Sequence, residues 1–431
     1  MTPSAQALAA IEVLADIADR KRLAAEALRD WGLSHRFAGS GDRARIASLV
    51  FDALRRRASS AFLLGSEEPR ALVLGALVLV RGADPGALAM AFAGAAHAPS
   101  PLTPSETAAL ADPSLADAPA WVRGDYPEWL EPHFERAFGE ERAEEGAALA
   151  TRAPLDLRVN TLKASREKVL AQLADLAAEP TPLSPWGVRV PLGADGRGPP
   201  VQAMPAFKRG AFEVQDEGSQ IAALLAIAAP GVQVVDLCAG AGGKTLALAA
   251  AMDNHGQIYA HDSDARRLAP IVERLQRAGA RNVQVRPPKG SRDVLADLAG
   301  RADLVLVDAP CTGSGTWRRA PDSKWRLRPN AFAMRQGEQD AALDRAAGLV
   351  KPGGRIAYVT CSVLAEENGD RVAAFVGRHP DFAAVPPAEV ATAANLAALA
   401  PYATGDEFGI QMTPRRTGTD GFFVSMLRRK G

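Results

Sequence analysis

The chain has 431 residues, 47% hydrophobic and 23% charged, which is too much for one ordinary core and predicts two or three folded domains. Lys and Arg together number 50, as do Asp and Glu, so the formal net charge is zero; a chain basic throughout is excluded, and any nucleic-acid site must be a local patch. The three cysteines, Cys238, Cys311 and Cys361, are too few and too far apart for a disulfide framework or a Cys-x-x-Cys zinc site, so the expectations are a reducing, cytoplasmic setting and no metal.

The first segment reads as all-helical. "SAQALAAIEVLADIADR", "RARIASLVFDALRRR" and "PRALVLGALVLVRG" repeat apolar residues at helical spacing. "SGD" at 40–42 offers an N-cap for the second of these. The N-terminus lacks the basic and apolar regions of a secretory signal. The longest apolar run, "ALVLGALVLV" at 71–80, falls short of the ~20 residues a bilayer span requires and predicts a buried helix, not a membrane anchor. The Pro-rich stretch "APSPLTPSETAALADPSLADAPAW" reads as a boundary, giving a helical domain over 1–120.

Residues 121–225 mix types. "LDLRVNTLK" alternates as a strand does, "SREKVLAQLADLAA" reads as a helix with a Ser cap, and "WGVRVPL" and "AFEVQD" add strands. Over 226–431 the strand-like runs "VQVVDL", "QIYAHD", "DLVLVD" and "RIAYVT" alternate with helical stretches. That alternation predicts an α/β domain with a doubly wound, Rossmann-like sheet and a ligand at the carboxyl ends of its strands. All three cysteines fall at such ends.

"VVDLCAGAGGKT" joins a strand to a helix. A phosphate-cradling loop would need glycine where Cys238 stands, and the dinucleotide fingerprint would need glycine at Thr245; both fail. The next strand ends in Asp262, about 20 residues beyond the glycines and placed to accept hydrogen bonds from ribose hydroxyls. An adenosine-bearing ligand without phosphates suits this layout, and S-adenosylmethionine is one. The plain alternative is a tight turn beside solvated aspartates.

Cys311 follows Asp308 in "DAPCTGSGTWRR", and Cys361 lies in "RIAYVTCSVLAEEN". A thiol alone is more often a small buried hydrophobe. Two thiols and a carboxylate at neighbouring strand ends suit methylation of cytosine at carbon 5, which needs a thiolate on carbon 6 and a hydrogen bond to ring nitrogen 3. On the residues alone, either cysteine can be the nucleophile.

"DLCAGAGGKT", "DAPCTGSGTWRRAPDSKW", "YVTCSVLAEEN" and "GTDGFF" resemble the motifs of the Sun-type RNA cytosine-C5 methyltransferases. "LRVNTLK" and "VQDEGSQ" resemble the small α+β, RNA-recognition-like module of that family, and "SGDRARIASLVFDALRR" the NusB-like helical domain of its bacterial 16S ribosomal RNA members. The resemblance implies that Cys361 is the nucleophile and Cys311 assists product release. Asp308 would hold the base near the methyl donor, and Lys244 would face base and cofactor. Cys238, Ala239, Gly240, Ala241, Gly242, Gly243, Lys244, Asp262 and Asp308 would hold S-adenosylmethionine. The substrate would be RNA, either 16S rRNA or an assembling small ribosomal subunit, with transfer RNA as an alternative substrate and a non-catalytic assembly factor as an alternative role. The enzyme is expected to be monomeric. Two departures stand out: Ala241 replaces the family's proline, and no acid lies between 286 and 289, so that either Asp293 serves the adenine or the contact is absent, and no adenine contact is assigned.

"TWRRAPDSKWRLR" interleaves basic and aromatic residues. Arg318, Arg319, Lys324, Trp325 and Arg326 are therefore expected to contact RNA phosphates and bases. The competing reading is a charged loop with its tryptophans turned inward.

Overall fold

A computed structural model describes residues 1–94, 96–193 and 196–431. It divides into two compact units: Met1–Arg152 with Trp317–Arg326, and Ala153–Thr316 with Leu327–Gly431.

The first unit is helical. Pro3–Arg20, Ser40–Arg55 and Pro69–Leu79 bury one face each, through Ala10 and Val13, Ile46 and Val50, and Val73 and Leu74. The run "ALVLGALVLV" falls on the last of these, with Ala71–Ala76 buried; no described helix is long and apolar enough to cross a membrane. Pro69–Leu79 lies so close to Arg57–Leu64 that a Cβ on Gly75 would fall 2.3 Å from the Ser60 hydroxyl, so glycine is required there.

Two expectations need correction here. The N-cap of Ser40–Arg55 is Gly39, which makes no side-chain cap, and "SGD" is the helix's first turn. The Pro-rich boundary contains a helix, Pro104–Ala111, started by a capping box between Thr103 and Glu106. The helices Glu131–Phe138 and Arg142–Leu149, which the reading from sequence assigns to the α+β module, pack within this unit.

Residues 317–326 complete the helical unit. Trp317 is 1% exposed and stacks on Phe134, with ring centroids 5.9 Å apart. Lys324 is also 1% exposed. Its ammonium donates to the carbonyls of Arg55 (2.9 Å) and Asp125 (2.5 Å). Trp325 Nε1 donates to the Leu54 carbonyl at 2.6 Å.

The second unit holds two sheets among the described residues. In the smaller, β1 (Leu155–Val159) lies between β3 (Gly187–Val190) and β4 (Phe212–Val214), and β2 (Glu179–Pro180) edges β3, all antiparallel. Helix Arg166–Gln172, capped by Ser165, packs on it through Val169.

The larger sheet contains β5 (Gln233–Asp236), β6 (Gln257–Ala260), β7 (Val283–Val285), β8 (Ala302–Asp308), β9 (Val350–Thr360), β10 (Phe382–Ala384), β11 (Ile410–Met412) and β12 (Phe422–Arg429). Its order is β10-β12-β9-β8-β5-β6-β7, with β11 beside β12. Strands β5 to β9 run parallel, and β12 returns antiparallel against β9. The chain leaves β5 towards β6 on one side and takes up β8 on the other. That reversal opens a crevice at the carboxyl ends of β5 and β8, as the α/β reading predicts.

The two sheets share buried polar contacts. Asn160 Nδ2 donates to the carbonyls of Gly210 and Ala278, both at 2.8 Å. Arg158 donates to the Gly243 carbonyl at 2.6 Å, beside the glycine-rich turn.

Burying Lys324 strips its ammonium of water and lowers its pKa to about 7. The two carbonyls it serves have no comparable replacement donor. Lys324→Ala is therefore expected to destabilise the helical unit by about 3 kcal/mol. Every tryptophan except Trp186 lies in this unit, so denaturant unfolding followed by tryptophan fluorescence measures the loss. An unchanged midpoint would show that the buried ammonium contributes nothing net.

Candidate active site

The glycine-rich turn runs from the end of β5 into helix Gly243–Ala251. Gly240 and Gly242 have φ of +50° and +82°, and a Cβ on Gly242 would lie 2.5 Å from Ile271; only glycine fits both demands. Ala241, the residue that departs from the family pattern, has its carbonyl held by Arg274 at 2.7 Å. Asp262 is 1% exposed. Its two oxygens each accept one backbone N–H, from Gly240 and Asp264, both at 2.9 Å. Arg267 stands 3.7 Å away. Each carboxylate oxygen keeps a lone pair for a ribose hydroxyl.

Cys238, His261, Asp262, Arg267 and Pro310 line a cleft of about 530 Å³. This is large enough for a nucleoside-sized ligand. Burial, and then the negative charge of Asp236, push the Cys238 thiol up, which makes it a wall of the cleft and a poor nucleophile. Asp293 accepts from Leu295 N at 2.9 Å and from Arg345 at 2.7 Å. The cleft thus fits an adenosine-bearing ligand without phosphates through its glycine backbone and Asp262.

The ends of β8 and β9 carry the reactive groups. Asp308 pairs in register with Val359, so the loops after these strands run side by side. Cys311 Sγ and Cys361 Sγ are 3.3 Å apart. Lys244, in the first turn of the helix after the glycines, reaches Asp308 at 2.7 Å and lies over the Phe422 ring at 5.1 Å. The structure therefore brings Cys311 to Cys361, and Lys244 to Asp308.

Backbone contacts fix these loops. Gly315 N donates to the Cys361 carbonyl at 3.0 Å, and Gly421 N to the Gly315 carbonyl at 2.8 Å. A Cβ on Gly315 would meet the Gly421 carbonyl at 2.0 Å. Ser314 and Ser362 hydroxyls meet at 3.0 Å. Asp420 N donates to both oxygens of Asp216, at 3.1 and 3.2 Å.

The basic segment needs correction. Arg318 and Lys324 are 4% and 1% exposed and lie inside the helical unit, so neither presents its charge to a phosphate. Trp325 is half-buried, with Nε1 taken by Leu54. Arg319 and Arg326 remain exposed, the latter 3.5 Å from Asp322. The inward turn of the tryptophans, the competing reading, is what the structure has.

Sequence reasoning missed Glu367 and Gln339, which grip the loop around Cys311. The acidic run after Cys361 was the available signal. Asp236, at the end of β5 beside the glycine turn, was visible in the sequence but received no role. That carboxylate is 1% exposed, accepts from Thr245 Oγ1 at 2.6 Å, and leaves Oδ1 without a hydrogen bond.

Burial is the main reason the Asp236 pKa is pushed up to about 7. A carboxyl with a raised folded pKa contributes stability that is complete below its unfolded value near 3.8 and lost as pH rises through about 7. Asp236→Asn removes that titration. The variant's stability relative to wild type is expected to grow between pH 4 and pH 8, measured as ΔΔG by denaturant unfolding. A pH-independent difference would rule out the raised pKa.

Comparison with known proteins agrees with this geometry. Residues 223–428 match the family described as 16S rRNA methyltransferase RsmB/F, and 126–195 match the ferredoxin-like domain of RsmF/B-like methyltransferases. A probable ribosomal RNA small subunit methyltransferase B of Synechocystis sp. is 34% identical over 264 residues, covering 61% of this chain and 58% of that protein. The ribosomal RNA small subunit methyltransferase B of Photorhabdus laumondii is 31% identical over 307 residues, covering 71% and 66%. The chain thus spans 58% to 66% of the length of these curated relatives. The crystal structure of PH0851 superposes over 100% of this chain and 99% of its own, with a TM-score of 0.73 and 26% identity. A methyltransferase homolog protein from Pyrococcus horikoshii covers 74% of this chain and 99% of its own, with a TM-score of 0.57 and 27% identity. The two family matches, the sheet order and the paired cysteine loops lead to one conclusion: the chain belongs to the Sun-type RNA cytosine-C5 methyltransferase family, in the group described as 16S rRNA methyltransferase RsmB/F.

Proposed function

We propose that this protein is a monomeric cytoplasmic enzyme that methylates carbon 5 of a cytosine in 16S rRNA, free or in an assembling small subunit, with S-adenosylmethionine as methyl donor. One observation carries the reading: two thiols 3.3 Å apart at the ends of adjacent parallel strands, with a Lys–Asp pair at the glycine turn beside them. The choice of RNA is supported by the relatives' names as small-subunit rRNA methyltransferases.

S-adenosylmethionine, when bound, supplies the methyl group. The glycine turn over 238–244 lets backbone approach the ligand, and Asp262 accepts from its ribose hydroxyls. Asp308 hydrogen-bonds ring nitrogen 3 of the cytosine, with Lys244 at 2.7 Å as a proton source. The Cys361 thiolate adds to carbon 6 and makes carbon 5 nucleophilic. Cys311 then donates to the departing Cys361 sulfur. The target base must leave its stack to reach this cleft, because both thiols stand at strand ends between packed loops. Exposed Arg319 and Arg326 supply RNA phosphate contacts.

Cys361→Ala is expected to lower methyl transfer to 16S rRNA at least about a thousandfold and to give no covalent protein–RNA band on denaturing gels. Cys311→Ala is expected to accumulate that band. A band from Cys361→Ala, and none from Cys311→Ala, would reverse the two roles. Transfer RNA tested in parallel distinguishes the substrate, since methyl transfer to it and none to 16S rRNA would overturn the ribosomal assignment.

Replacing Arg319 and Arg326 together with Ser is expected to reduce the slope of log K against log salt by about 0.7 per lost phosphate contact, read from RNA-binding titrations. An unchanged slope would remove both residues from the RNA interface.

A further inference from the structure

Glu367 is fully buried, yet it belongs to no ion pair among the described residues. It sits on the loop that begins with Cys361, and the Tyr358 hydroxyl fixes its carbonyl at 2.6 Å. Its carboxylate reaches across to the other cysteine loop. One oxygen accepts from Thr312 N at 2.9 Å and from Gln339 Nε2 at 3.0 Å. The other accepts from Thr312 Oγ1 at 2.6 Å. Gln339 Nε2 also donates to the Pro310 carbonyl at 2.9 Å. Thr312, after Cys311, is thus held directly by Glu367, and Pro310, before it, through Gln339. Burial pushes the Glu367 pKa up, and these contacts, each of them donor to carboxylate, oppose that shift and favour the ionised form.

We infer that Glu367 is a positioning residue for Cys311: its carboxylate grips Thr312 directly and Pro310 through Gln339, so that the Cys311 thiol stays protonated and against Cys361, and thereby governs release of the methylated base. The inference rests on the covalent reading proposed above. A fixed negative charge beside a buried thiol opposes its ionisation. The Cys311 thiol is indeed pushed well up, first by its contact with Cys361, then by burial and by the charges of Cys361 and Glu367.

The release step then balances. Water at the cleft mouth takes the carbon-5 proton. The C–H electrons form the C5–C6 double bond, and the C6–S bond breaks with its electrons on Cys361. Cys311 gives its proton to that sulfur. Passing the proton back across the 3.3 Å contact restores a Cys311 thiol and a Cys361 thiolate. One proton leaves per methyl transferred.

The test separates formation of the RNA adduct from its resolution. Wild type, Glu367→Gln, Thr312→Val and Cys311→Ala are each incubated with unmodified 16S rRNA transcript and S-adenosylmethionine, and the covalent band is followed in time. Glu367→Gln keeps shape and removes charge; Thr312→Val removes one of the grips at a half-buried position. Both are expected to form adduct within about threefold of the wild-type rate, with resolution slowed about tenfold in Glu367→Gln and severalfold in Thr312→Val. The alkaline fall in the resolution rate is expected to move to lower pH in Glu367→Gln. Wild-type resolution at every pH in a folded Glu367→Gln overturns the inference. So does an equal slowing of formation and resolution in both variants, which a bare packing role would give. Absence of adduct from every protein, Cys311→Ala included, overturns the covalent reading itself.

Discussion

The contact between Gly315 and Gly421 sets the spacing of the two cysteine loops and the start of β12. Backbone meets backbone there, with no room for a Cβ on Gly315. A contact without side chains has no rotamers to vary, so its geometry is tighter than side-chain packing alone provides. Three segments far apart in sequence depend on it. The Cys311 loop enters through Gly315, the Cys361 loop through the Cys361 carbonyl that Gly315 N holds, and the start of β12 through Gly421. The aspartate before Gly421 then ties the assembly to Asp216, at the N-terminus of helix Glu217–Leu224. The 3.3 Å contact between the two thiols depends on this rigidity, because hydrogen bonding to sulfur weakens steeply with misplacement.

The same logic explains why the carboxylates near the site differ so much in setting. Asp262 spends one lone pair of each oxygen on the turn that it orders and keeps the others for a ligand. Asp308 has Lys244 beside it, with its side chain 32% exposed. Asp236 is sealed under the turn with a single hydroxyl partner, so burial dominates and favours its neutral form. Glu367 is equally buried but has its own set of donors. Four acids at one sheet end thus stand in four different settings, divided by solvent access and donor count.

Much of this was legible in the sequence. Strands β5, β8 and β9 are buried on both faces and read as unbroken apolar runs, a pattern that parallel central strands impose. The glycines of "AGAGG" announced a turn with positive φ, and Asp262 lay at the distance a ribose-binding acid requires. The partnership of Gly315 with Gly421 was not legible, since a contact between residues a hundred positions apart leaves no local periodicity. Glu367 was hidden for a related reason: its function lies in the loop it reaches, not in its neighbours along the chain. The capping box at Thr103–Glu106 was readable and was masked by the surrounding prolines. The packing of the helices up to Leu149 within the helical unit was not legible, because they carry no composition change to separate them from the strands that begin at β1.

The segment Trp317–Arg326 shows most clearly why composition misleads. Basic and aromatic residues side by side suit an RNA surface, but they also suit a helix C-terminus. Helix Ser40–Arg55 ends with carbonyls that no further turn can satisfy. The ammonium of Lys324 meets the Arg55 carbonyl and the indole of Trp325 meets that of Leu54, so a cation and a ring donor cap the negative end of the helix from a distant part of the chain. Arg55 returns a hydrogen bond to the Arg318 carbonyl at 3.0 Å. A helix end near residue 55 is thus closed by residues beyond 316. The helical unit is therefore not one continuous segment: it takes in residues 317–326, which follow the strand carrying Asp308 and the loop carrying Cys311 in the chain.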